Sequence, residues 1–137
     1  MHKLILVVGT DDGKHISRGH LGDSKKFLMY SLYEDGHWEF IKEVENLAQD
    51  EEEKEHGGEG KMKKVLSLLG PVDVLVSKKS SPNFKRMAAT RPLQPVRVVC
   101  EKVEEALQIL SSRFDQLWEM VEKRRDGFRE ERVPRFP

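Results

Sequence analysis

One cysteine, Cys100, is all the chain contains in 137 residues. A single thiol closes no internal disulfide, and a site built from four thiolates of one chain is excluded. Long apolar runs are missing too. The N-terminal run Leu4-Ile5-Leu6-Val7-Val8 falls far short of the ~20 residues of a spanning helix, and short of a signal-peptide core with its cleavage site. The expectation is a soluble, cytoplasmic protein with no membrane association. Excess charge of either sign is also absent: 24 Lys and Arg balance 24 Asp and Glu. Nucleic-acid binders carry a basic surplus or stripe, so no nucleic-acid partner is expected; short basic patches remain at Lys78-Lys79 and Lys123-Arg124-Arg125. Hydrophobic content is only 37% against 35% charged, which assigns part of the chain to surface helix or tail. The length still suffices for one compact domain with a core.

What is present is regular. Leu4 to Val8, ending at Gly9, reads as a strand covered on both faces. Phe27 to Tyr33 and Trp38 to Val44 are aromatic and β-branched runs around Glu34-Asp35-Gly36-His37, a hairpin signal. Phe27, Met29 and Tyr33 share one face of it, Leu28, Tyr30 and Leu32 the other. Asn46 to Glu55 is acidic without an apolar face and reads as a loop. Met62, Val65, Leu66 and Leu69 recur at helical spacing over Lys61 to Leu69, stopped by Gly70-Pro71. Val72 to Val76 reads as a strand. Ser80-Ser81-Pro82-Asn83 reads as a helix start, and Pro95 to Cys100 as another strand. Val103, Ala106, Leu107, Leu110, Phe114, Leu117, Trp118 and Val121 hold one apolar stripe from about Lys102 to Arg125, predicting one long helix. Its outer half, from Phe114, offers a homodimer or partner face. Asp126 to Pro137 reads as a tail. The order β, hairpin, α, β, α, β, α predicts an α/β fold with a mixed five-stranded sheet flanked by helices and an extended C-terminal helix.

Between the first strand and the hairpin, Thr10 to Lys26 is polar and punctuated by glycine: Asp11-Asp12-Gly13, then Gly19-His20-Leu21-Gly22. Long loops of this kind carry function disproportionately. Histidine is the commonest metal ligand and the side chain that titrates near neutral pH. A second glycine-rich stretch, Gly57-Gly58-Glu59-Gly60 beside His56, enters the first helix, where free backbone N–H groups favour anions. It lacks the Gly-Lys-Ser/Thr ending of a nucleotide-binding loop. Cys100 stands at the end of a strand, where ligands gather in α/β sheets, although a lone strand cysteine is more often a small packed hydrophobe. His2, His15 and His37 are read as surface residues. Asp11, Asp12, Glu43, Glu45 and Asp73 do not form a pattern that brings carboxylates together for two-metal chemistry.

Taken together, Asp11-Asp12-Gly13, His20-Leu21-Gly22, Phe27-Leu28-Met29-Tyr30, Gly57-Gly58-Glu59-Gly60-Lys61, Val72-Asp73-Val74 and Val103-Glu104-Glu105-Ala106-Leu107 resemble the dinitrogenase iron–molybdenum cofactor accessory family. That family covers the NifX-like proteins and the C-terminal domain of NifB-type enzymes. The resemblance spans Lys3 to Leu110 and divides the chain into a family-like domain, residues 1–110, and a helix extension and tail, residues 111–137. It implies a ribonuclease-H-like, three-layer fold. It also implies a non-enzymatic carrier that works with a protein partner in cofactor assembly and binds an iron–sulfur or iron–molybdenum cluster or a similar anionic cofactor. His20 falls on the family's metal-contacting histidine, and Gly22, Gly57, Gly58 and Gly60 on its cofactor-binding backbone. Leu21 stands where the family has phenylalanine. The family's Gly-Gly-x-Gly-Pro-Asn loop is replaced by Ser77-Lys78-Lys79-Ser80-Ser81-Pro82-Asn83, which trades a close backbone approach for two cations. A ligand-free scaffold using the long terminal helix is the alternative reading.

Overall fold

The computed structural model describes residues 1–47 and 59–137. β1 (Lys3–Thr10), β2 (Lys26–Tyr33), β3 (Trp38–Glu45), β4 (Val74–Ser77), β5 (Gln94–Val98) and β6 (Arg135–Phe136) form one sheet in the order β3-β2-β1-β4-β5-β6. Four α-helices accompany it among the described residues: α1 (Glu59–Leu69), α2 (Pro82–Thr90), α3 (Val103–Ser111) and α4 (Phe114–Arg125). β1, β4, β5 and β6 run parallel, while β2 is antiparallel to both β1 and β3. None of the described helices is long and apolar enough to cross a membrane.

Alternation along β1 explains the two cores. Leu4, Leu6 and Val8 pack with Val103, Leu107 and Leu110 of α3 and Phe114, Leu117 and Val121 of α4. Val7 points into a second cluster with Val65 and Leu69 of α1 and Phe84 and Met87 of α2. Successive side chains on a strand face opposite ways, so a run with no polar break is buried twice. The hairpin follows the same rule: Phe27 and Met29 join the second cluster, Leu28 and Leu32 the first. Its turn closes through Gly36 N bonding Tyr33 O and Tyr33 N bonding His37 O. Gly36 sits at φ +94, the left-handed position that ends a three-residue hairpin loop.

Four expectations need correction. The single helix from Lys102 to Arg125 is two helices, broken at Ser112-Arg113. Ser111 Oγ donates to Gly36 O and Ser112 Oγ to Ile109 O; paired serines compete with the helix for backbone bonds and mark kinks. The break turns α4 back over the sheet, burying Phe114 (4% exposed), Leu117 (0%) and Val121 (0%). Phe114, Leu117 and Val121 are therefore core and not an apolar face for a homodimer, while Trp118 of the same stripe stays partly buried. The sheet, next, has six strands rather than five. Residues beyond Asp126 are not a free tail: α4 ends with Phe128 N bonding Lys123 O and Gly127 N bonding Arg124 O, a Schellman arrangement. The chain then returns so that β6 pairs with β5 and buries Phe136 and Val133. Finally, the strand expected from Val72 begins only at Val74, because Asp73 turns its carboxylate to the Ile5 amide (2.8 Å) and Arg125 (3.0 Å).

Arg124 anchors this closure. It is 1% exposed; its Nε donates to Gln94 Oε1 at 2.6 Å and its Nη1 to Ala88 O, in the last turn of α2. Longer bonds reach Arg91 O and Glu130 O. Burial holds the guanidinium pKa below its ordinary value, with the charge of Glu130 opposing the shift. A helix C-terminus carries partial negative charge, which adds to the charge of Glu130 in holding the cation.

Candidate functional site

The parallel register places the C-terminal ends of β1, β4 and β5 side by side, with the start of β2 next to Thr10. The loops 11–25, 78–81 and 99–102 therefore share one end of the sheet, where open α/β sheets bind ligands. Asp73, on the N-terminal side of β4, lies at the opposite end and joins none of the other carboxylates.

The loop after β1 is more ordered than its composition suggests. Asp12 Oδ1 accepts from Lys14 N and His15 N, each at 2.8 Å, and Asp12 Oδ2 lies 2.6 Å from His15 Nδ1. These bonds, led by the His15 and Lys14 amides, hold the Asp12 carboxyl well below the usual carboxylate range. Thr10 Oγ1 accepts from Gly13 N (3.0 Å) and donates to His15 O. Ile16 N bonds Glu101 O, Ser17 N bonds Gly9 O, and Val103 N bonds Lys14 O. Loop 11–17 is thus stitched to β1 and to the loop before α3.

His20 comes next, exposed, with extended backbone (φ −71, ψ 150) at the head of a single 3-10 turn, Leu21–Asp23. Leu21 is buried among Val7, Phe27 and Met29, so the phenylalanine position of the family loop keeps an apolar anchor. Asn46 braces the turn from behind: its Nδ2 donates to Gly22 O (2.9 Å) and Ser24 O (2.7 Å). α1 packs against this turn. A Cβ placed on Gly9 would stand 2.1 Å from Ser24 Oγ, so the strand approaches the turn more closely than any side chain permits. Of the glycines expected to hold a cofactor, Gly22 is buried in the turn and Gly60 lies in the first turn of α1. Gly57 and Gly58, with His56, lie outside the described residues.

The loop that departs from the family pattern has a structural account. Lys78 pairs with Glu101, which its hydrogen bond and charge hold below the usual carboxylate range. Ser81 Oγ accepts from Phe84 N at 3.1 Å, capping α2 with Pro82 in the first turn. Lys79 remains exposed. Cys100 lies beyond the end of β5 rather than within it, half-buried, and burial followed by the charge of Glu105 pushes its thiol pKa up. That is the reverse of what a thiolate ligand requires.

A cavity of about 390 Å³ opens at this end, lined by Asp11, Asp12, His15, Ser17, Arg18, Gly19 and Glu101. His20 stands immediately beyond Gly19 in the chain. The structure thus gathers Asp12, His15 and Glu101; the Asp-x-x-His spacing is the one local signal for the first two, and Glu101 had none. Among the described residues, no group of three or more His, Cys, Asp and Glu is placed to hold a metal ion.

No curated protein and no solved structure matches the chain. A family model does, over residues 1–113, from β1 through α3. That span contains the His20 loop, the α1 entry and the altered loop before α2, and the chain belongs to the family described as dinitrogenase iron-molybdenum cofactor.

Proposed function

We propose that this protein is a small accessory carrier, without catalysis of its own, that holds an iron–sulfur or iron–molybdenum cluster, or a cofactor of similar negative charge, at the loop end of its sheet. Family membership supports the class of cargo. The observation that carries the reading is His20, exposed at the head of a turn that is itself immobilised by Asn46 and α1. An imidazole on a rigid turn binds iron without paying to order the loop. Gly22 supplies close backbone beside it, and Gly57, Gly58 and Gly60, at or just before the start of α1 in the sequence, are the other residues assigned to the cofactor. Helices packed on the two faces of the sheet suit a ribonuclease-H-like, three-layer arrangement. A carrier in the cytoplasm hands its cargo to a protein partner; Phe40, Ile41 and Leu47, exposed along or just beyond edge strand β3, are apolar side chains available to one.

The test is anaerobic reconstitution with ferrous iron and sulfide, read by absorbance and metal analysis after desalting. The wild type retains cluster iron and His20→Ala loses most of it. Failure of the wild type to retain a cluster overturns the carrier reading, and equal retention by His20→Ala removes His20 from it.

A further inference from the structure

A larger cavity, of about 680 Å³, lies on the α3 face of the sheet, whereas the His20 turn packs on the α1 face. Its floor is the strand surface carrying Tyr30 and Trp38, one wall is α3 through Val103 and Leu107, and Lys14 and Lys102 stand at its loop end. Small-molecule sites have this size, roughly 300–1,000 Å³, and this mixture of apolar surface with a few polar groups. The strand register gives the cavity a direction. Tyr30 is opposite Leu6 of β1, while Trp38 is opposite Leu32, which in turn faces Leu4. β1 runs from Leu4 toward the loop that carries Lys14, so Trp38 marks the end away from the cations and Tyr30 lies between. Phe40, 56% exposed, stands edge-on to Tyr30 at 5.6 Å and extends the aromatic surface outward. The Tyr30 hydroxyl bonds no described residue, and burial alone pushes its pKa up, so it stays a neutral donor.

The cationic end is built by the backbone. Val103 N donates to Lys14 O at 2.9 Å, and His15 faces Lys102 in an isolated antiparallel bridge, so two lysines distant in the chain are fixed as neighbours. Other lysines at this end of the sheet are neutralised: Lys26 lies 3.0 Å from Glu43, and Lys78 pairs with Glu101. Lys14 and Lys102 form no ion pair among the described residues. The cavity has one carboxylate, Glu104, in the first turn of α3, where helix amides favour an acid. Glu105 turns back to Lys102 N at 3.1 Å, and Asp12 is committed to the Lys14 and His15 amides and to His15 Nδ1. Cations therefore outnumber carboxylates in this wall, and neighbouring like charges repel unless an anion joins them.

We propose that this cavity binds a flat aromatic molecule carrying a single negative charge, an aromatic carboxylate, with its ring on Tyr30 and Trp38 and its charge at Lys14 and Lys102. Val103 and Leu107 cover the other side of the ring, and the Tyr30 hydroxyl is a donor along its edge. One negative charge answers the surplus that Lys14 and Lys102 leave over Glu104. Aromatic rings gain most on aromatic partners that are only partly covered by their own protein. The site shares no residue with the His20 turn and stands or falls independently of cluster binding there.

The probe is 2-naphthoate, titrated into the full chain at neutral pH and followed by the shifts of assigned backbone amides. Saturable shifts gather at Gly13 to His15, Tyr30 and Lys102 to Leu107. Lys14→Met and Lys102→Met each weaken binding roughly threefold, and together about tenfold. Trp38→Leu, which keeps an apolar side chain and removes the indole, weakens it roughly threefold to tenfold. Both lysines are exposed, so their variants fold; circular dichroism confirms this for all of them. Lys85→Met, on α2 across the sheet, and His20→Ala leave the affinity unchanged. Two further compounds test the chemistry: naphthalene-2-methanol has the ring without the charge, and octanoate has the charge without the ring. Both bind more weakly than 2-naphthoate. No saturable shift with 2-naphthoate, shifts centred elsewhere, or unchanged affinity in the double lysine variant overturns the proposal. Equal binding of naphthalene-2-methanol overturns the role of the lysines, and equal binding of octanoate overturns the aromatic class.

Discussion

Replacing Arg124 by methionine tests what holds the C-terminal third of this protein in place. Methionine has similar length and flexibility, so packing is largely kept while the donors are removed. Two buried acceptors then lose their best partner: Gln94 Oε1, bonded at 2.6 Å, and Ala88 O at the end of α2. The bonds to Arg91 O and Glu130 O, at 3.5 and 3.4 Å, are too long to count for much. Leaving a buried acceptor unpaired costs roughly 1–3 kcal/mol, and hydrogen bonds to charged groups are worth about 1.5–3 kcal/mol. The gross loss is about 3–6 kcal/mol. Against it stands the desolvation of a buried guanidinium whose charge Glu130 offsets only in part, a penalty of several kcal/mol that methionine removes. The carbonyls at the C-terminus of α2 reduce that penalty, so the loss outweighs the relief and the net destabilisation is about 2 kcal/mol. For a chain of this length that is about 6–8 °C in Tm, and urea unfolding followed by circular dichroism gives it directly. Combining Arg124→Met with Gln94→Leu recovers part of the cost, because the acceptor goes with the donor. An Arg124→Met variant as stable as the wild type, or more so, would refute the reasoning: desolvation would then dominate, and the network would be tolerated rather than stabilising.

Gly9→Ala drives a Cβ to 2.1 Å from Ser24 Oγ and should cost about 1–3 kcal/mol, as overpacking does. Ser24→Gly in the same chain should restore most of it in a thermal melt; no rescue would mean that the strand and not the turn is strained. Asp12 gives a pH prediction. Its pKa is lowered in the folded chain, so the order it gives loop 11–17 is complete above the unfolded value near pH 4 and is lost only as pH falls through the lower folded value. The protonation step of the Asp12 carboxyl carbon resonance therefore falls below about pH 4; a carboxyl protonation midpoint at or above pH 4 contradicts the assignment.

Much of the fold was legible because its causes are local. The unbroken run Leu4 to Val8, the hairpin at Gly36 and the Ser81-Pro82 cap each depend on residues within a few positions of one another. So did the strongest part of the candidate site: the glycine punctuation around His20 marks a turn, and the turn is there. The cavity beside His15 was not legible, for the opposite reason. The spacing of His15 from Asp12 is visible in the chain, but the cavity that both line exists only once Ile16 and Val103 tie the loop to the segment before α3.

By itself, then, the sequence determined which segments become strand or helix and which loop carries the exposed imidazole, since periodicity, caps and turns are short-range properties. The tertiary structure alone decided that Ser111 and Ser112 break the last helix, that Arg124 is buried, and that Phe136 adds a sixth strand. Those outcomes depend on partners tens of residues away, such as Gly36, Gln94 and Arg97. Charge density made residues 126–137 look like a tail. Burial of two apolar side chains, Val133 and Phe136, together with backbone pairing along β5, was enough to fold it in.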